Sequence, residues 1–326
     1  MKFLVMGCGS IGERHIRNLL AEAPGSSIDA FDPQKERLKV VAEKYHVAPA
    51  GEEMVDSRYD CVLVCTPPSS HVELATRAAR AGSNVLVEKP LSSGMQGVRE
   101  LRSAVKEKGI LAFVAYNFRF NRGINTVKEI VSSRKFGRVL HASAYFGQYL
   151  PDWRPWQDYA KSYTARKELG GGIIHDGSHE IDYLVWLFGR PKTIQSQFAY
   201  TDTLSADTEA MADIILQFDG TLGSIHLDFV RREYRRSLEL LCENAVVQWS
   251  LSEDAVRTFD PASKSWSSQK LGEDVNEMYL AEIRHVLGCI KERKKSGVID
   301  LENGISTLEL SDAVHRSGLE GRRLAL

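Results

Sequence analysis

At 326 residues, 43% of them hydrophobic, the chain has material for two domains or one large one with an ample core. Its 42 basic and 43 acidic side chains leave a formal charge of -1, which excludes a global field suited to nucleic acid or an anionic membrane and points to a small-molecule partner. No apolar run approaches the roughly 18 residues of a membrane span, and "MKFLVMGCGS" turns into glycines before a signal-peptide core can form, so the chain reads as cytosolic.

Residues Lys2 to Met6 are predicted as a short strand that stops at "GCGSIG", after which Ile11, Ile16, Leu19 and Leu20 keep a helical spacing. In this strand, turn and helix, Gly7 permits the tight bend and Gly9 lets a pyrophosphate approach the backbone. Gly12 allows close packing, and Ser10 and Ile11 open a helix whose N-terminus faces the phosphates. "SIDAFDP" is a second strand ending at Asp32, about 20 residues past the last glycine, where a carboxylate can accept the ribose hydroxyls. The alternative for Asp32 is an ordinary turn residue before the next helix. An acid there repels a 2′-phosphate, so NAD is favoured over NADP, and Arg37 is the residue that argues the other way.

"DCVLVCTPPSSH" continues as a strand running into a loop, "VELATRAARAG" as a helix closed by Gly82, and "NVLVEKP" as the next strand; "ILAFVAYNF" ends at Tyr116 and Asn117. Strands alternating with helices predict a parallel sheet, with ligands beyond the carboxyl ends of its strands. There the chain places Thr66, Pro67, Pro68 and His71 after one strand, and Glu88, Lys89 and Pro90 after the next. Glu88 either serves the cofactor or neutralises Lys89. The five cysteines include no C-x-x-C pair, which argues against a disulfide framework and a structural zinc site.

After Phe120 the pattern changes. "RGINTVKEIVSSRKFG" reads as a helix and "RVLHASAYFGQYL" as a long strand. Four more strand-length runs follow, with Asp219-Gly220 and Glu243-Asn244 as hairpin markers. The prediction is a Rossmann domain over residues 1–118, then an α+β domain over 119–326 with an open, mostly antiparallel sheet. Helices cover one of its faces, and apolar alternation points to a second subunit on the other. Two late helices complete the chain.

"GGGIIHDGSHEID" gathers His175, Asp176, His179, Glu180 and Asp182 directly after three glycines. A helix is predicted to begin near Asp176, with Ile181, Leu184, Val185 and Phe188 toward the core. Histidine, with an unperturbed pKa of about 6.5, suits the removal of a hydroxyl proton, which makes His179 the candidate base. Asp182 reads as support for the helix. A metal site on His175 and His179 is disfavoured, because the HExxH glutamate is absent and Gly177-Ser178 makes a poor rigid turn. Upstream, Tyr149, Trp153, Arg154, Trp156, Tyr163 and Arg166 could stack on a sugar ring and bind a carboxylate or phosphate.

"GCGSIG", "CTPPSSH", "VLVEKP", "YNFRF" and "GGGIIHDGSHEID", in that order, resemble the glucose-fructose oxidoreductase, inositol dehydrogenase and rhizopine catabolism family, Gfo/Idh/MocA. The resemblance implies a Lys89 that lies beside the nicotinamide and the substrate, a cis Lys89-Pro90 bond, and Asp176 and His179 as catalytic partners of Lys89. Tyr116 and Arg119 are further pocket candidates and Asn117 is expected to face the nicotinamide, while the resemblance implies dimers or tetramers made sheet to sheet. Most relatives carry the aspartate four residues before the histidine; here the spacing is three and His175 stands in the fourth place back. Either Asp176 keeps the aspartate's role or His175 has taken its position, and His175 could instead contact substrate. The implied activity is NAD(P)-dependent hydride transfer from a secondary alcohol of a sugar-like molecule. Some relatives instead hydrolyse glycosides through a transient oxidation, and a few are dinucleotide sensors, which would be expected to lose Lys89 and His179.

Overall fold

The computed structural model describes residues 1–326. The chain divides into two compact units, Met1–Asn117 with Val275–Leu308, and Phe118–Asp274 with Glu309–Leu326.

The first unit alternates β1 (Lys2–Met6), α1 (Ser10–Glu22), β2 (Ser27–Phe31), α2 (Lys35–Tyr45), β3 (Ala48–Pro49), β4 (Cys61–Val64), α3 (Pro68–Arg80), β5 (Asn84–Val87), α4 (Val98–Lys108) and β6 (Ala112–Val114). Its six strands are all parallel in the order β3-β2-β1-β4-β5-β6. Phe3 to Met6, Cys61 to Val64 and Val85 to Val87 are all buried, as expected for strands covered on both faces. The order reverses between β1 and β4, so the strand ends there form the crevice in which open α/β sheets bind ligands.

The second unit contains α5 (Arg122–Ser133), β7 (Val139–Gly147), α6 (Ile173–Asp176), α7 (Ser178–Phe188), β8 (Thr193–Ala199), β9 (Met211–Gln217), β10 (Leu222–Asp228), β11 (Arg235–Cys242), β12 (Val246–Ser250), β13 (Ala255–Asp260) and β14 (Ser265–Lys270). With the short C-terminal strand, Leu324–Ala325, these form a nine-stranded sheet in which β7 and β10 pair parallel and every other neighbour antiparallel. Asp219-Gly220 turns β9 into β10, with Gly220 at φ 80°, and Glu243-Asn244 turns β11 into β12. Helix α5 packs on β12 and β13, and α7 on β7 and β10. Buried Trp249 on β12 meets Phe118 and Tyr183 edge-on. On the opposite face Ile215, Leu222 and Leu241 remain exposed.

The helix expected near Asp176 begins at Ser178 as α7, and the short α6 precedes it across Gly177, where a Cβ would come within 2.6 Å of Leu227 and 2.9 Å of the Ile173 carbonyl. One expectation changes: the second domain does not run unbroken to residue 326. The late helices are α8 (Val275–Glu292) and α9 (Leu301–Glu320), and residues Val275–Leu308 belong to the first unit. There α8 packs on α1 with Met278, Ile283, Val286 and Leu287 buried, and Gly304 admits Val114.

Candidate active site

In the first unit the glycine turn is fixed by sterics. Gly7 has φ 98°, and a Cβ on it would lie 2.6 Å from the Cys65 carbonyl; a Cβ on Gly12 would strike the Gly7 carbonyl. Gly9 differs, because a Cβ there meets no protein atom within 4 Å. Packing does not require that glycine, whereas the approach of a pyrophosphate to the N-terminus of α1 does. Asp32, buried at the end of β2, accepts N–H bonds from Cys8 at 2.8 Å and Gln34 at 2.8 Å, with the Arg37 guanidinium 3.4 Å away. Two bonds leave a carboxylate room for further donors such as ribose hydroxyls. Asn117 is buried with no partner for its side-chain NH2, an orphaned donor that suits a polar ligand. These residues fit a dinucleotide.

At the end of β5, Lys89 is half-buried and its bond to Pro90 is cis. Glu88 faces inward: its Oε1 is 2.6 Å from His15 Nε2, and its Oε2 accepts the Lys89 backbone N–H at 3.1 Å. His71, expected at the cofactor, is buried on α3 between the loops that follow β4 and β5. Its Nδ1 lies 2.9 Å from the Pro90 carbonyl and its Nε2 2.7 Å from the Thr66 carbonyl, and the single N–H of the neutral ring donates to one of them. Burial pulls its pKa down. Thr66 hydroxyl accepts from Ser70 at 2.7 Å, and Pro67 and Pro68 start α3. Tyr116 is buried in this unit.

In the second unit the turn "GGGIIHDGSH" is held from below. Gly172 has φ 114°, and a Cβ there would run into Glu209, whose carboxylate accepts the Ile174 N–H at 3.2 Å and lies 3.4 Å from His315 Nε2. Burial pushes the Glu209 pKa up, but the hydrogen bond and charge of His315 outweigh it and the net shift is downward. His175 donates from Nδ1 to the carbonyls of Gly170 and Gly171 at 3.1 and 3.3 Å. Burial and then the nearby His315 charge lower its pKa, so the ring is neutral and Nε2 is an acceptor. Asp176 accepts the Tyr163 hydroxyl at 2.8 Å. The His179 ring stands 4.9 Å from that of Phe118, edge-on, in the buried first turn of α7.

The other two carboxylates of this segment are structural. Asp182 receives a two-pronged bond from Arg119, 2.8 Å to each oxygen, and Glu180 pairs with Arg236 at 2.8 Å; all four residues are buried. Arg119, expected to contact substrate, thus also grips α7, a partnership that the sequence hid because Asp182 lies 63 residues away. Trp153 packs against Phe146 and Phe229, and its indole N–H is buried without a partner. Tyr149 lies under Arg232 at 3.6 Å, Arg154 and Arg166 are half-buried, and Trp156 is 75% exposed. No group of three or more His, Cys, Asp or Glu side chains is arranged to hold a metal ion. Glu209, His315 and the His15–Glu88 contact went unnoticed in the sequence, since each joins distant segments without a local pattern.

Comparison with known proteins agrees with this geometry. Residues 1–116 match the model described as an oxidoreductase family with an NAD-binding Rossmann fold, and residues 124–248 match the GFO/IDH/MocA C-terminal domain. The chain is 24% identical to scyllo-inositol 2-dehydrogenase (NAD(+)) of Bacillus subtilis, over 99% of this chain and 95% of that protein. It is 31% identical to myo-inositol 2-dehydrogenase of Thermotoga maritima, over 69% of this chain and 67% of the relative. An uncharacterized oxidoreductase of Streptococcus pneumoniae is matched over only 52% of its own length. Levoglucosan dehydrogenase, solved with NADH and levoglucosan, superposes with a TM-score of 0.89 at 17% identity, covering 100% of this chain and 99% of that one, which shows a shared fold. The chain belongs to the Gfo/Idh/MocA family of oxidoreductases, and its first domain is an NAD-binding Rossmann fold.

Proposed function

We propose that the protein oxidises a secondary alcohol of a sugar or cyclitol, with NAD as acceptor. The observation that carries this is the match to both family domains in a chain that keeps Lys89 at the end of β5 and His179 in a buried turn of α7. Bound NAD would supply the hydride-accepting ring. Gly9 and the start of α1 would hold its pyrophosphate, Asp32 its ribose and Asn117 its nicotinamide side. Lys89 donates to the alcohol oxygen and steadies its developing negative charge, while His179 takes the hydroxyl proton. Asp176, fixed by Tyr163, supports that exchange, and the neutral His175 offers Nε2 to a second hydroxyl. Tyr149, Trp153, Arg154 and Arg166 are assigned to the sugar. Asp32 favours NAD over NADP.

Further support for a sugar or cyclitol comes from the named activities of the inositol dehydrogenase relatives. The test is a panel of free, phosphorylated and nucleotide-linked sugars, cyclitols and uronates with NAD or NADP, followed by absorbance of the reduced cofactor. Lys89→Met and His179→Ala should each lower kcat by about a hundredfold or more. Binding of NAD with no rise on any substrate would overturn the proposal. The same proposal places a second copy of the chain on the open sheet, where Ile215, Leu222 and Leu241 lie exposed. Ile215→Asp should convert the oligomer to monomer in light scattering.

A further inference from the structure

Lys89 is the residue on which the proposed chemistry turns, and the residues on both sides of it in the chain are gripped by buried histidines from different helices. His15, on the second turn of α1, reaches Glu88 at 2.6 Å, and Glu88 accepts the Lys89 N–H at 3.1 Å. His71, on α3, reaches the Pro90 carbonyl at 2.9 Å. A carboxylate accepts only, so His15 Nε2 carries the hydrogen and donates. Both rings are fully enclosed, so neither contact is exchanged for water at low cost.

We propose that His15 is a positioning residue: through Glu88 it sets the backbone from which the Lys89 ammonium reaches the substrate, and so joins the helix that receives the pyrophosphate to the lysine that receives the alcohol. This rests on Lys89 being catalytic as proposed above. A neighbouring group supports it. Glu282 of α8 is fully buried with neither oxygen hydrogen-bonded, and burial, then the charge of Glu88, holds its pKa well above the carboxylate range. Burial thus favours the uncharged form of Glu282, while His15 and the Lys89 N–H both point at Glu88.

The test compares wild type with His15→Gln, whose amide nitrogen can stand where Nε2 stands, His15→Leu, which fills the space without a donor, and Glu88→Gln. Three quantities are read: kcat and KM on the substrate found in the panel, NAD affinity by calorimetry, and the acetylation rate of Lys89 relative to the other lysines by peptide mass spectrometry. His15→Leu should lower kcat on the order of tenfold to a hundredfold with KM and NAD affinity within about twofold, and should change Lys89 labelling, whereas His15→Gln should restore most of both. Loss that follows NAD affinity, or that is equal in His15→Gln and His15→Leu, would assign His15 to cofactor binding or folding and overturn the proposal. Unchanged kcat and labelling in His15→Leu would overturn it as well. If His15→Leu does not fold, Glu88→Gln carries the same kcat and labelling comparison. If wild type turns over no substrate, the dehydrogenase proposal fails, and the labelling arm still decides whether His15 sets Lys89.

Discussion

Glu282 makes a sharp prediction about stability against pH. An unfolded chain releases its proton near 4.5, whereas burial and the charge of Glu88 keep it protonated in the fold well above that value. The folded state thus binds one more proton than the unfolded state over this window. Stability from this group is greatest below the unfolded value, falls by about 1.4 kcal/mol per pH unit up to the folded value, and is level beyond it. Glu282→Gln is neutral at every pH and close in shape, so the slope disappears. The variant should match wild type near pH 4 and gain on it as the pH rises above 4.5, up to the folded value. The assay must watch the first unit. All five tryptophans, Trp153, Trp156, Trp186, Trp249 and Trp266, lie in the second. Urea titration read by pulsed hydrogen exchange on peptides covering β4 and β5, at one pulse pH, does so. Parallel curves from pH 5 to 7 would refute the reasoning, for they would mean that Glu282 is ionised in the fold.

Gly172→Ala, at φ 114° and against Glu209, should cost about 2–4 kcal/mol and lower activity; thermal unfolding and a rate measurement check it. Glu209 has the opposite sign to Glu282: its folded pKa lies below 4.5, so its contribution is present above that value and lost as pH falls through the folded one. Glu209→Gln should therefore weaken the protein at pH 6 and flatten its acid loss, seen as melting temperature from pH 3 to 6. Asp182→Asn leaves the Arg119 guanidinium buried without its counter-charge and should cost about 3–5 kcal/mol, while Arg119→Met with Asp182→Leu should recover most of it in denaturant titration.

The Rossmann half was legible because its signals are local. A glycine turn, a strand-end acid and an E-K-P lysine each sit within a few residues, and alternating strands and helices leave few topologies. The catalytic segment was legible as a cluster but not in its division of labour. Glu180 and Asp182 carry the same chemistry as Asp176 in the sequence, and only the fold, by bringing Arg236 and Arg119 in from afar, shows that two of the three acids are tied to arginines. β14, "SWSSQK", was missed for a different reason. All six residues are exposed, so no apolar alternation marks it; pairing with β13 makes it a strand. α8 went to the wrong unit because helical spacing reports that a face is buried, not which partner buries it.

β7 is the central strand of the nine, and its two neighbours, β10 and β11, follow it by some 80 residues or more in the chain. During synthesis the alternating run from Val139 to Gly147 therefore leaves the ribosome long before either neighbour exists, with its hydrogen-bonding edges open on both sides. Such late, distant pairing slows folding and exposes strand edges meanwhile. The folding yield of this protein should thus depend on how well β7 is shielded during translation.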